Sequence, residues 1–238
     1  MKIDLRTFND YMAKQEASLS SFDSEKHKQM CKDGLESTRQ AVKKLCDKGN
    51  LLGIMLWLPS WDCLRFVFQN FEVLKEIGDY EEALIDAYQG TKFNFHHWPL
   101  STFRFLFEIA DPKKLRKLGD PIPDKDFFTL YRGVAGKGRA RRVNGISWTA
   151  SSNIAAWFAT WLRRWNINLD DPAVFEITVP KNSLLLYINE RKEQEYLLKL
   201  PLPNKPRRLK EMPKPKIDRT IPPAIRAQLE KIGRPIIH

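Results

Sequence analysis

Cysteine is scarce, with three in 238 residues. Cys31, Cys46 and Cys63 are odd in number and widely spaced, and no C-x-x-C pair occurs. That argues against a disulfide framework or a thiolate zinc site and points to buried thiols in a reducing compartment. Histidine is almost as rare. His27, His96, His97 and His238 form no H-E-x-x-H pair and no Cys/His cluster, so no metal is expected. Long hydrophobic runs are missing too. The most apolar stretch, residues 51–58, is too short to span a bilayer. No apolar run follows Met1-Lys2-Ile3-Asp4-Leu5, so a secretory leader is not expected, and a cytoplasmic chain without a membrane segment is. No repeat period is visible.

Acidic residues are outnumbered. Forty Lys/Arg stand against 29 Asp/Glu, a formal net charge of +11 with pI near 9.6. Such a chain attracts polyanions, which favours RNA, DNA or an acidic, nucleic-acid-handling protein as partner. Hydrophobic residues at 42% and aromatics at 11% suffice for a packed core, and the length allows one large domain or two small ones.

Residues 1–120 read as helical. In Ser60 to Gly78 the apolar residues Leu64, Val67, Phe68, Phe71 and Leu74 keep helical spacing, with Ser60 as N-cap and Gly78 as stop. Residues 24–47 carry a weaker pattern through Met30, Leu35, Val42 and Leu45, and 80–88 and 102–110 are shorter helix candidates. These stripes are expected to be core. The cluster His96-His97-Trp98-Pro99 reads as a loop with packed aromatics, the alternative being a cluster that lines a pocket or touches a substrate.

After Pro121 and Pro123 the pattern becomes β-like. Strands are expected over 127–131, 145–149, 173–179, 183–188 and 195–200, with one helix capped by Ser152 or Asn153 and facing inward through Ala155, Phe158, Leu162 and Trp165. A basic loop, 136–142, lies between the first two strands. One helix among many short strands implies an α+β domain with a largely antiparallel sheet. From Pro201 the composition shifts again: eight of the fifteen prolines and ten Lys/Arg against three Asp/Glu predict an extended basic arm, with a short helix over 224–232. The expected division is therefore 1–120, 121–200 and 201–238.

Two carboxylates, Glu193 and Glu195, stand at the mouth of the apolar run Tyr196-Leu197-Leu198. If the chain is extended there, both project from one face. Two carboxylates facing one substrate stabilise developing positive charge and accept a proton. The plainer reading is a solvated strand end beside Glu190, Arg191 and Lys192.

Three segments stand in order. Leu130-Tyr131-Arg132-Gly133-Val134 ends the first strand, Ser147-Trp148-Thr149 forms the second, and Glu193-Gln194-Glu195-Tyr196-Leu197-Leu198 opens the last. With Asn153-Ile154-Ala155, Phe158-Ala159 and Phe175-Glu176-Ile177 between them, this resembles the R-S-E class of mono-ADP-ribosyltransferases, with its E-x-E motif, in their phage and prophage form. The resemblance covers about residues 127–200. It implies a mostly antiparallel split β-sheet core, NAD as co-substrate and no metal.

Residue by residue, the resemblance implies that Arg132 grips the NAD pyrophosphate and that Gly133 lets the backbone approach it. It implies that Ser147 lines the nicotinamide pocket and holds the catalytic glutamate, with Thr149 in support and Trp148 as part of the wall. Trp148 stands where the family has a smaller residue. Glu195 is the expected catalytic carboxylate, set against oxocarbenium-like charge on the ribose. Glu193 is expected to orient or deprotonate the acceptor, with Glu190 as a lesser rival. The activity implied is that of a cytoplasmic toxin or phage-conflict effector modifying a protein arginine, RNA or DNA, neutralised in its own host by an antitoxin-like partner. The competing reading is a non-catalytic basic module on a degenerate transferase fold that binds nucleic acid or protein. A small-molecule acceptor, or simple NAD hydrolysis, is a third.

Overall fold

Residues 2–90, 98–138, 141–165, 169–189 and 192–216 are described by a computed structural model, in which the chain divides into two units, Met1–Leu118 and Gly119–His238. His96, His97, Glu190, the side chains of Leu162 and Trp165, and the helix expected over 224–232 lie outside the described residues.

The first unit is helical. Its α-helices are α1 (Arg6–Ser18), α2 (Glu25–Asp47), α3 (Leu51–Met55), α4 (Ser60–Gln69), α5 (Phe71–Ile77), α6 (Tyr80–Gly90), α7 (Leu100–Glu108) and α8 (Pro112–Lys117). Ser24 caps α2 by accepting the His27 N–H. The helix expected from 60 to 78 is two helices. Asn70, 2% exposed, breaks it: its amide nitrogen donates to the carbonyls of Asp4 and Phe66 at 2.9 and 3.0 Å, and its oxygen accepts the Asp4 N–H at 2.7 Å. A side chain that bonds main chain in this way competes with the helix ladder. Pro59, not Ser60, holds the N-cap position of α4. Gly78 ends α5 at φ +90°, the left-handed stop that its sequence position suggests. The apolar stripes are only partly core, since Met30 is 64% exposed and Phe68 41%. None of the three cysteines is paired; Cys63 is buried as expected, whereas Cys31 and Cys46 are only half-buried.

The second unit is a six-stranded antiparallel sheet with one long helix. The strands are β1 (Phe127–Val134), β2 (Ser147–Thr149), β3 (Ala173–Pro180), β4 (Leu184–Ile188), β5 (Glu195–Leu198) and β6 (Arg207–Arg208), in the order β4-β5-β2-β1-β3-β6. β1 and β3 pair along their whole length, from Phe127↔Pro180 to Val134↔Ala173. β1 and β2 pair only at Tyr131↔Thr149. The sheet is thus nearly parted into β4-β5-β2 and β1-β3-β6. The α+β class and the antiparallel sheet are as the sequence suggests. The segment after Leu200 is not a separate arm at its start: β6 pairs with Phe175 and Glu176 of β3, and closes the sheet edge.

Alternation along the strands sorts the two faces. One face carries Phe128, Leu130, Trp148, Ile177, Val179, Leu184, Tyr196 and Leu198 in a single buried cluster. At about 1.5–3 kcal/mol for each large side chain removed from water, this cluster dominates the unit's stability. The other face receives α9 (Ser152–Trp165), whose Ala155 and Ala156 pack against Val174, Tyr131 and Leu209. Two alanines bring the helix close, and Gly133 brings it closer. A Cβ on Gly133 would lie 1.7 Å from the Ala155 carbonyl oxygen and 2.8 Å from the Ala159 nitrogen. Both are backbone atoms and neither yields without moving the helix. Gly133→Ala is therefore expected to destabilise the protein by about 3 kcal/mol, the upper part of the range for overpacking. A urea titration followed by tryptophan fluorescence measures it.

Candidate active site

β2 and β5 run side by side, with Ser147↔Leu197, Trp148↔Tyr196 and Thr149↔Glu195 in register. Ser147, Thr149 and Glu195 therefore share one sheet face, opposite to Trp148 and Tyr196. The Ser147 hydroxyl donates to Glu195 Oε1 at 2.5 Å. Residues 48 apart in sequence thus form a direct side-chain hydrogen bond. Glu195 is only 5% exposed. The bond meets one of its oxygens and fixes the carboxylate's direction.

Thr149 works on the neighbouring turn. Its hydroxyl donates to the Glu193 carbonyl at 2.7 Å and accepts the Ser151 N–H at 3.2 Å. The Ala150 N–H reaches the Gln194 carbonyl at 3.2 Å. These bonds join the end of β2 to the start of β5. Glu193 is also buried, at 5% exposure. It does not reach the site by strand alternation, however. Gln194 has φ +48° and Lys192 φ +56°, so the chain is in a left-handed turn, and β5 begins only at Glu195. A turn, not a strand, sets where Glu193 points.

Arg132 enters from the other face. By alternation it follows Leu130 on the Trp148 side, yet its Nη1 donates to the Ser147 carbonyl at 2.6 Å and its Nε to the Arg142 carbonyl at 3.0 Å. The Ile146 carbonyl already accepts from Leu198 of β5. Alternation then turns the Ser147 carbonyl toward β1, into the split. The guanidinium meets a carbonyl that a continuous β1–β2 ladder would have paired. Gly145 makes room, since a Cβ there would sit 2.3 Å from Arg132 Nη2.

Two residues expected at the ligand have other roles. Trp148 is 1% exposed, in the middle of the core, and its indole N–H donates to the Gly145 carbonyl at 2.8 Å. It faces away from Ser147 and Glu195, so it does not wall the pocket they would form. Gly133's open side is filled by α9, so its lack of a side chain serves helix packing.

Of the basic loop, Arg139 and Ala140 lie outside the described residues. Arg141 is tied down: Nε donates to the Gly136 carbonyl at 2.9 Å and Nη2 pairs with Asp171. Arg208 takes the other oxygen of Asp171 at 2.9 Å. The two guanidiniums, Arg141 foremost, hold the Asp171 carboxyl below the usual carboxylate range.

Sequence reasoning missed Asn189 and Asp120. The Asn189 side chain accepts the Gln194 N–H at 3.2 Å and its carbonyl the Lys192 N–H at 2.8 Å, while Asp120 accepts the Asn189 N–H at 2.6 Å. The signal was present in part, because asparagine after an apolar strand is a turn former. Among the described residues no group of three or more His, Cys, Asp or Glu is arranged to hold a metal, and no helix is long and apolar enough to cross a membrane.

No family model, curated protein or solved structure matches the chain.

Thr149→Val keeps the shape and removes both hydroxyl bonds. Losing a buried pair of this kind costs about 1–3 kcal/mol. Hydrogen exchange is expected to quicken at Gln194 and Ala150, with the exchange of β1 and β3 unchanged.

Proposed function

We propose that the chain is an NAD-dependent mono-ADP-ribosyltransferase, acting inside the cell as a toxin or phage-conflict effector on a macromolecular acceptor, either a protein arginine or RNA or DNA. The observation that carries this reading is the bond from Ser147 Oγ to Glu195 Oε1. It joins two residues of the R-S-E resemblance, and the third, Arg132, donates to the main chain of the same serine. The split sheet is a further feature that the resemblance implies.

The residues suit NAD in chemical type. NAD supplies the ADP-ribosyl group and carries nicotinamide as leaving group. A carboxylate that is shielded from water and aimed by a hydroxyl stabilises positive charge building beside it, because the field of a fixed charge is strong where water is excluded. Glu195 is in that position. Ser147 orients it by donating to one oxygen and leaves the second oxygen's direction fixed. Glu193, on the adjoining turn, is the base that would accept a proton from the acceptor. A guanidinium acceptor needs such a base, because arginine stays protonated far above neutral pH. Arg132 bears on the phosphate role in a limited way. Its single Nε–H is given to Arg142, so a two-pronged grip that uses Nε requires that bond to break.

The same two carbonyl bonds of Arg132 favour the second reading, a binding module in which the arginine is purely structural. Glu195→Gln separates the two. The amide oxygen still accepts from Ser147, so folding is expected to survive, with a melting temperature within a few degrees of the parent. NAD turnover is expected to fall by about 10²–10⁴-fold, the range for a removed catalytic charge or base. Unchanged turnover would remove Glu195 from the chemistry, and no turnover in either form would leave the binding module. Glu193→Gln is expected to suppress transfer to the acceptor while sparing NAD hydrolysis, read by released nicotinamide against label incorporated.

A further inference from the structure

The basic excess of this protein belongs to one unit. Residues 1–118 hold 18 Lys/Arg and 17 Asp/Glu, net +1, whereas residues 119–238 hold 22 and 12, net +10. Within that unit many cations are engaged. Arg141 and Arg208 share Asp171, Arg207 pairs with Glu176 at 2.8 Å, and Lys181 pairs with Asp124. Lys210, Lys214 and Lys216, like Lys125, Lys137, Lys199 and Lys205, are exposed and make no ion pair with a described residue, but these three fall within seven consecutive residues. Only Glu211 opposes them in the segment 209–216.

The path of that segment gives the lysines a location. It leaves the sheet edge at Leu209, whose N–H donates to the Val174 carbonyl at 2.9 Å and whose side chain packs against Ala155 and Ala156 of α9. It ends, among the described residues, at Lys216, whose N–H donates to the Asn153 carbonyl at 3.2 Å. Asn153 lies in the first turn of α9, four residues after Thr149 at the end of β2. The segment therefore crosses α9 from the outer edge of the sheet to the β2–α9 junction. Pro213 and Pro215 stiffen it. Three exposed cations are held on a segment that ends, among the described residues, against Asn153, four residues along the chain from Thr149.

We propose that segment 209–216 is a docking strap for an unpaired polynucleotide, which it presents to the Glu193–Glu195 site as the ADP-ribose acceptor. A row of lysines without ion-pair partners among the described residues suits a repeating phosphate chain better than an isolated arginine, which the same positive charge repels. The strand is unpaired because both carboxylates are 5% exposed, so the acceptor must reach them with a narrow protruding group. A base inside a duplex does not offer one unless it is flipped out. The acceptor part of this inference rests on the transferase reading. The docking part does not.

The test uses the full chain and a fluorescein-labelled single-stranded RNA of mixed sequence, read by anisotropy across a salt series without NAD. Single-stranded DNA and duplex RNA serve as competitors. In the combined variant Lys210→Ala, Lys214→Ala, Lys216→Ala, affinity is expected to fall about tenfold to a hundredfold. The slope of log affinity against log salt is expected to shrink by about 2, at roughly 0.7 for each phosphate no longer neutralised. The three Lys→Arg replacements are expected to restore both. Single strands, of either sugar, should compete better than duplex. With NAD present, label transfer to RNA should fall in the alanine variant while nicotinamide release in the absence of RNA stays at the parent rate. Unchanged affinity and slope overturn the strap. So does a raised KM for NAD with RNA affinity intact, which would make the lysines nucleotide ligands. Label found on protein arginine at equal rates in both forms overturns the acceptor assignment. Absence of any NAD turnover in the parent removes the transferase reading alone, and the anisotropy still decides the strap.

Discussion

The strands β1 and β2 touch at a single residue pair and then part, and the unit's candidate chemistry depends on how that gap is held. A parted sheet leaves main-chain carbonyls without ladder partners, and a buried carbonyl without a donor is costly. Arg132 supplies the donors. Its guanidinium spans from the Arg142 carbonyl to the Ser147 carbonyl, fixing the main chain from which the Ser147 hydroxyl reaches Glu195. The carboxylate's direction is thereby linked to β1, two strands away. An arginine suits this place because its planar fork offers several donors at set angles, which a lysine does not.

The strands around this gap were legible in the sequence because their alternation is strong and their ends carry turn residues. All five expected strands form, and β1 runs three residues beyond its apolar stretch because Arg132, Gly133 and Val134 stay paired with β3. What was not legible depends on interactions across long separations. Asn70 breaks a periodic helix only because Asp4, 66 residues away, is there to be bonded. β6 is two residues long, too short for any periodicity, and it forms because β3 has an edge to cover.

The candidate site divides in the same way. Ser147, Thr149 and Glu195 were expected together, and the register of β2 with β5 brings them together. Trp148 and Gly133 were expected at the ligand because neighbours in a motif are easily taken to share its purpose. Strand alternation sends Trp148 to the opposite face, and α9 fills the space above Gly133. Glu193 was placed by an alternation that the chain does not have. No local pattern marks Gln194 for a left-handed conformation, since glutamine has little preference for it, and the turn is held by Asn189 and Thr149 instead.

The short strand β6 also guards the fold. β3 would otherwise present a row of main-chain donors and acceptors at the end of the sheet, a template on which another chain can add. Arg207 and Arg208 cover part of that row, and their side chains are tied to Glu176 of β3 and to Asp171 just before it. A chain cut at Pro206 would uncover the border of β3 and take away the arginine partners of Glu176 and Asp171. Its natural fate is association through that margin, which the two residues of β6 forestall by covering main chain.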